Sequence, residues 1–116
     1  MAKSNQVWGL RLKQARLAAG LSQKQLGIEA GIDPFVASTR INRYELGVHE
    51  PDFLTACNLA KALKVPAAFL YASEDDVADL LFRYGHAKSS LRAAVRKGLA
   101  EIPSAEAMAL ARAAQR

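Results

Sequence analysis

Residues 20–47 read GLSQKQLGIEAGIDPFVASTRINRYELG, and their glycines and caps set the order of the central helices. Gly20 supplies the end of a preceding helix. Ser22 and Gln25 form a capping box, each side chain satisfying an orphan backbone N–H, so a second helix is expected from Ser22. That helix is short, because Gly31 follows nine residues on, and Leu26 and Ala30 give it a single buried stripe. Asp33 and Pro34 read as the N-cap and first residue of a third helix, since proline's missing N–H costs nothing there. The third helix is predicted to run to about Leu46 and to end at Gly47. Along it Ala37, Ile41 and Tyr44, spaced four and three, face inward, while Ser38, Thr39, Asn42 and Arg43 face outward.

Upstream, Trp8, Leu12, Ala15 and Ala19 recur at steps of four, three and four and predict the core face of a first helix. Leu10 and Leu17 lie off that face as an apolar stripe, to be covered by the C-terminal part of the chain or by another protomer. Downstream, Asp52 caps a fourth helix with the apolar set Phe53, Ala56, Cys57, Leu59, Ala60 and Leu63, and Pro66 opens a short fifth helix through Tyr71. Val77, Leu80, Leu81 and Tyr84 form a further stripe, interrupted at Gly85, and Leu91, Val95, Leu99 and Ile102 form another. These two are expected to make a helical hairpin against the head. The remainder, from Ser104 to Arg116, is alanine-rich and reads as a frayed helix or as disorder.

Composition agrees with an all-α fold. The chain has 116 residues, enough for about one domain with a sizeable core. Its 23 Ala and 15 Leu outnumber the 12 β-branched Val, Ile and Thr that favour strands. The longest uncharged run, residues 65–73, is nine residues, against the roughly 20 that span a bilayer, so no membrane segment is expected. Lys3 is followed by no apolar run of signal-peptide length, and the lone Cys57 has no partner for an intrachain disulfide, which makes the cytoplasm the expected compartment. Cys57 reads as a small buried hydrophobe. One cysteine with His49 and His86, expected as exposed loop residues, makes no four-ligand zinc set, so neither a metal nor a cofactor is expected. The net charge of +5 makes a polyanionic partner plausible, although charge alone would also suit solubility. An acidic patch, Glu74-Asp75-Asp76, separates two basic parts.

A short helix, a glycine-containing turn at Gly31-Ile32 and a second helix with a polar exposed face make a helix-turn-helix, whose second helix enters the DNA major groove. Here the chain resembles the bacterial and phage repressors related to Cro and the lambda repressor, the xenobiotic-response-element type. The resemblance covers residues 7–71. It rests on Arg16, Gly20-Leu21-Ser22-Gln23, Leu26, Ala30-Gly31-Ile32, Ile41-Asn42-Arg43-Tyr44-Glu45-Leu46-Gly47, Pro51 and Leu59-Ala60-Lys61-Ala62-Leu63-Lys64-Val65. It implies a five-helix DNA-binding domain over 7–71, with 74–116 as a helical extension.

The resemblance also implies roles. Gln23, with the amides at the start of its helix, would meet a DNA phosphate. Arg16 would pair with Glu45 and tie the first helix to the end of the recognition helix. Ser38, Thr39 and Arg43 match positions that read base edges, Arg suiting guanine O6 and N7 and the hydroxyls suiting either base or a thymine methyl. Arg40 and Asn42 lie within reach of phosphates. One spacing departs from the family: sixteen residues separate Gly31 from Gly47, where twelve are usual. The four extra residues, near 33–36, either extend the recognition helix or bulge the turn. Phe35 among them either packs on the neighbouring helix, the preferred reading, or touches DNA.

The expected function is sequence-specific regulation of transcription, with a repressor acting as a homodimer on a symmetric operator. The alternative is a protein-interaction module, an antitoxin or bridging factor, with a partner held through 74–116. No nucleophile, acid–base pair, phosphate loop or metal set points to an enzyme.

Overall fold

The computed structural model describes residues 4–103 and 105–114, all of whose regular structure is helical. Lys3 and, from the tail, Ser104, Gln115 and Arg116 lie outside the described residues. The chain divides into two compact units, one ending at His86 and the other beginning at Ala87.

The first unit holds α1 (Ser4–Ala18), α2 (Gln23–Glu29), α3 (Ala37–Glu45), α4 (Phe53–Ala62), a 3-10 helix (Ala67–Tyr71) and α5 (Asp75–His86). Its core contains the fully buried Leu12, Leu26, Ile41, Leu59, Leu63 and Leu70, each worth roughly 1.5–3 kcal/mol of burial. Trp8 meets Tyr44 and Tyr71 edge-on at centroid distances of 6.0 and 6.4 Å, joining α1 to α3 and to the 3-10 helix.

The local signals at α2 and α4 are realised. Ser22 and Gln25 close the capping box, and Asp52 accepts the Thr55 N–H at 2.8 Å. Gly20, Gly31 and Gly47 have φ of 71°, 87° and 74°, a left-handed backbone that residues with a Cβ adopt at a cost.

Four sequence expectations are corrected. Ala19 lies beyond the last turn of α1 and is exposed. Phe53, in the first turn of α4, is exposed, because that helix buries Ala56, Leu59 and Ala60 instead. The short fifth helix after Pro66 is present and ends at Tyr71 as expected, in the 3-10 form. α5 is not interrupted at Gly85 but runs to His86, and Gly85 is where it touches the end of α4: a Cβ there would lie 2.6 Å from the Lys64 carbonyl oxygen. The inward face of α5 is therefore Ala78, Leu81 and Phe82, with Phe82 against Phe69 at 5.8 Å, and Val77 and Leu80 stay exposed. Leu10 and Leu17 are also exposed, Cys57 is partly buried, and His49 and His86 are exposed, His86 as the last residue of α5 and not in a loop.

The second unit holds α6 (Ser89–Leu99) and α7 (Ala105–Ala114). The Arg92 Nε donates to the Ala87 carbonyl at 3.1 Å, satisfying an acceptor at the start of α6. Much of the alanine-rich tail is thus helix, and Leu91, Leu99, Ile102, Met108 and Leu110 are exposed on this unit.

Candidate nucleic-acid interface

α3 begins later than its capping signal suggests. Asp33 does what an N-cap does: its Oδ1 accepts the Phe35 N–H at 2.8 Å and its carbonyl accepts the Val36 N–H at 3.0 Å. The turn so formed does not propagate, because Val36 takes φ −115° and ψ −1°, and α3 starts at Ala37. The extra residues therefore bulge the turn, and the recognition helix is not lengthened at its N-terminus. Nor does Phe35 pack on the neighbouring helix, since it is 99% exposed.

Three contacts fix α3 in place. At its start Ala37 is pressed against Gly27 of α2, where an added Cβ would lie 2.6 Å from the Ala37 Cβ. At its end the Tyr44 and Glu45 carbonyl oxygens abut Gly9 of α1, both 2.5 Å from where a Cβ would be. The third contact is ionic. Arg16 donates through Nε to Glu45 Oε2 at 2.5 Å and through a terminal nitrogen to Oε1 at 3.1 Å, and also donates to the Leu21 carbonyl at 3.0 Å. The two side chains are 11% and 4% exposed, so the pair is buried as well as bidentate. Gly9 and Gly27 were not singled out in the sequence, although a glycine inside a helical pattern is itself a sign of close packing.

With Ala37, Ile41 and Tyr44 buried, 100° per residue turns Thr39, Asn42 and Arg43 straight outward, with Ser38 and Arg40 on the flanks. All five are exposed, and Arg43 forms no ion pair among the described residues. α3 is nine residues and about 13 Å long, and an α-helix of about 10–12 Å diameter is admitted by a major groove about 12 Å wide. Val36, Thr39, Arg40, Arg43, His49 and Glu50 line a hollow along one side of this face. Burial pushes the Tyr44 phenol above its ordinary pKa, against the opposing pull of Arg40, which hydrogen-bonds it.

Gln23 lies on the other flank. Its amide nitrogen donates to Asn42 Oδ1 at 3.2 Å and to Glu45 Oε1 at 3.1 Å, so both N–H groups are engaged. Among the described residues, Asn42 is engaged through its Oδ1, and no acceptor for its own amide N–H groups is found. Gln23, Asn42, Glu45 and Arg16 thus form one connected chain of bonds from α1 across α2 to the outer face of α3.

Arg11 was also not foreseen. It is 3% exposed beside Leu12, and its guanidinium donates to the Ala72 carbonyl at 2.7 Å, to Gln14 at 3.0 Å and to Asp75 at 3.0 Å. This ties α1 to the junction of the 3-10 helix and α5.

A buried scaffold presenting a short, polar, partly basic helix defines a DNA-binding helix-turn-helix domain. A profile of the helix-turn-helix family matches residues 12–70, just over half of the chain. The solved structure of the transcriptional regulator BswR is similar, with TM-score 0.72 and 40% identity over 81% of this chain and 93% of that one. A comparison with curated proteins found no match. The chain belongs to the lambda repressor-like helix-turn-helix family. Among the described residues no helix is long and apolar enough to cross a membrane.

Proposed function

We propose that this DNA-binding transcription regulator is a repressor that occupies a two-fold symmetric operator as a homodimer. The observation that carries the reading is the outward face of α3, held by Gly9, Gly27 and the Arg16–Glu45 pair. In this reading Ser38, Thr39 and Arg43 contact base edges, and Arg40 and Asn42 contact phosphates. Gln23 meets a phosphate with the amides at the start of α2, and its side chain keeps the Asn42 amide turned as a donor. A base contact is worth about 1–3 kcal/mol of discrimination, and specific sites need about 4–10 kcal/mol over non-specific DNA. The three base contacts of one α3 supply roughly 3–9 kcal/mol, the lower part of that range if each is modest, and a second copy on a symmetric half-site doubles them. Occupying a promoter needs no further domain.

The test is a hydroxyl-radical footprint on DNA upstream of the protein's own gene, with binding stoichiometry and a reporter from the same promoter. The reading predicts two protected patches about 10–10.5 base pairs apart centre to centre, or a multiple of that, with two chains per duplex and reduced expression. A single patch holding one chain would contradict the homodimer, and unchanged or raised expression would contradict repression.

A further inference from the structure

We propose that Phe35 is a specificity-determining residue that reads the 5-methyl group of a thymine in the major groove, beside the bases facing α3. The proposal rests on the DNA-binding reading above. Phe35 is 99% exposed, the extreme among the large hydrophobic side chains of the described residues. Its backbone is nonetheless well fixed: Asp33 accepts the Phe35 N–H at 2.8 Å and the Val36 N–H at 3.0 Å, and the preceding Pro34 has its own φ locked by its ring. An aromatic ring on such a turn is presented to a partner with little backbone ordering left to undergo on binding.

Its position selects the partner. Val36, the next residue, is the N-cap of α3 and opens the hollow that continues along Thr39, Arg40 and Arg43. The N-terminal end of a recognition helix is the end that meets base edges, so Phe35 travels with it toward the groove. The tip also carries the exposed Asp33 carboxylate, which phosphates repel. The Phe35 ring has no hydrogen bond to give a phosphate, so on a duplex its favourable contacts are with base edges. The apolar group displayed there is the thymine methyl, a known contact for phenylalanine.

The experiment selects binding sites from a randomised duplex library with the wild-type chain and with Phe35→Ala. Affinities follow by fluorescence anisotropy on the selected duplex, on a scrambled duplex, and on duplexes carrying uracil in place of each thymine. Wild type should select a motif, and Phe35→Ala should lose its preference at one thymine per half-site with unchanged melting and unchanged affinity for scrambled DNA. Uracil at that position should weaken wild type about fourfold, the worth of one buried methyl, and should not weaken Phe35→Ala further. An unchanged motif and affinity in Phe35→Ala would overturn the proposal and leave the DNA-binding reading intact. So would an equal loss on scrambled DNA, or a change in sedimentation without a change in base preference, which would make the tip a contact between copies. A wild-type chain that selects no motif would overturn both.

Discussion

Replacing Glu45 by alanine removes two of the three acceptor interactions of the Arg16 guanidinium and leaves only the Leu21 carbonyl. The arginine side chain is 11% exposed, so water does not take over the lost role. Stranding one partner of a buried pair costs roughly 3–5 kcal/mol, a large share of the roughly 5–15 kcal/mol that holds a domain together. In a unit of this size the melting temperature should fall by something on the order of 20 °C. The assay is thermal melting by circular dichroism, paired with urea titration to confirm that the slope is unchanged. The double variant Arg16→Met with Glu45→Leu should recover most of the loss, because apolar groups of similar volume need no partner. A Glu45→Ala chain within about 1 kcal/mol of wild type would refute the reasoning, since only a solvated pair is worth so little.

Arg43→Ala should lose about 1–3 kcal/mol at one base-pair position with melting unchanged, and an equal loss on every sequence in a mismatch panel would demote Arg43 to a phosphate contact. Gly27→Ala should force α2 from α3 at Ala37 and cost about 1–3 kcal/mol in urea titration despite the better helix propensity of alanine, whereas a stabilised variant would show that the two helices can part freely. Hydrogen bonds from Thr55, chiefly through its side chain and then its backbone N–H, hold the Asp52 carboxyl below its ordinary pKa. A depressed carboxylate stabilises the fold above its unfolded pKa of about 3.9 and loses that contribution as pH falls through the lower folded value. Asp52→Asn should therefore flatten the acid limb of stability against pH, and an unaltered limb would count against the cap.

What the sequence made legible was mostly local. A capping box needs only four adjacent residues, and left-handed turns at glycine need only that glycine, so both ends of α2 and the start of α4 could be placed before any packing was known, whereas α4 ends at a left-handed Lys64, which no glycine marks. The inward set of α3 was equally legible, because Ala37, Ile41 and Tyr44 obey the helical period. The failures came where distant partners decide. Arg11 is buried because Ala72 and Asp75, more than sixty residues away, supply its acceptors, and no periodicity announces that. The inward face of α5 was misassigned because Leu80 and Leu81 are equally apolar, and only Phe69 and the close approach at Gly85 choose between them. At Asp33-Pro34 the capping chemistry was obeyed for one turn, but the sequence did not tell whether the turn would continue into α3. That turn is also what leaves Phe35 exposed, so the least legible segment carries the new proposal.

The central claim is that the outer face of α3 reads DNA sequence. Its most direct test is fluorescence anisotropy on the duplex upstream of the protein's own gene, at two salt concentrations, with a scrambled duplex of equal length as competitor. The account predicts tight binding that survives the scrambled competitor and falls with salt only as far as the phosphate contacts require. Weak binding, abolished by scrambled DNA and erased by salt, would contradict it: α3 would then be no more than a basic surface, and residues 74–116 would become the place to seek a protein partner.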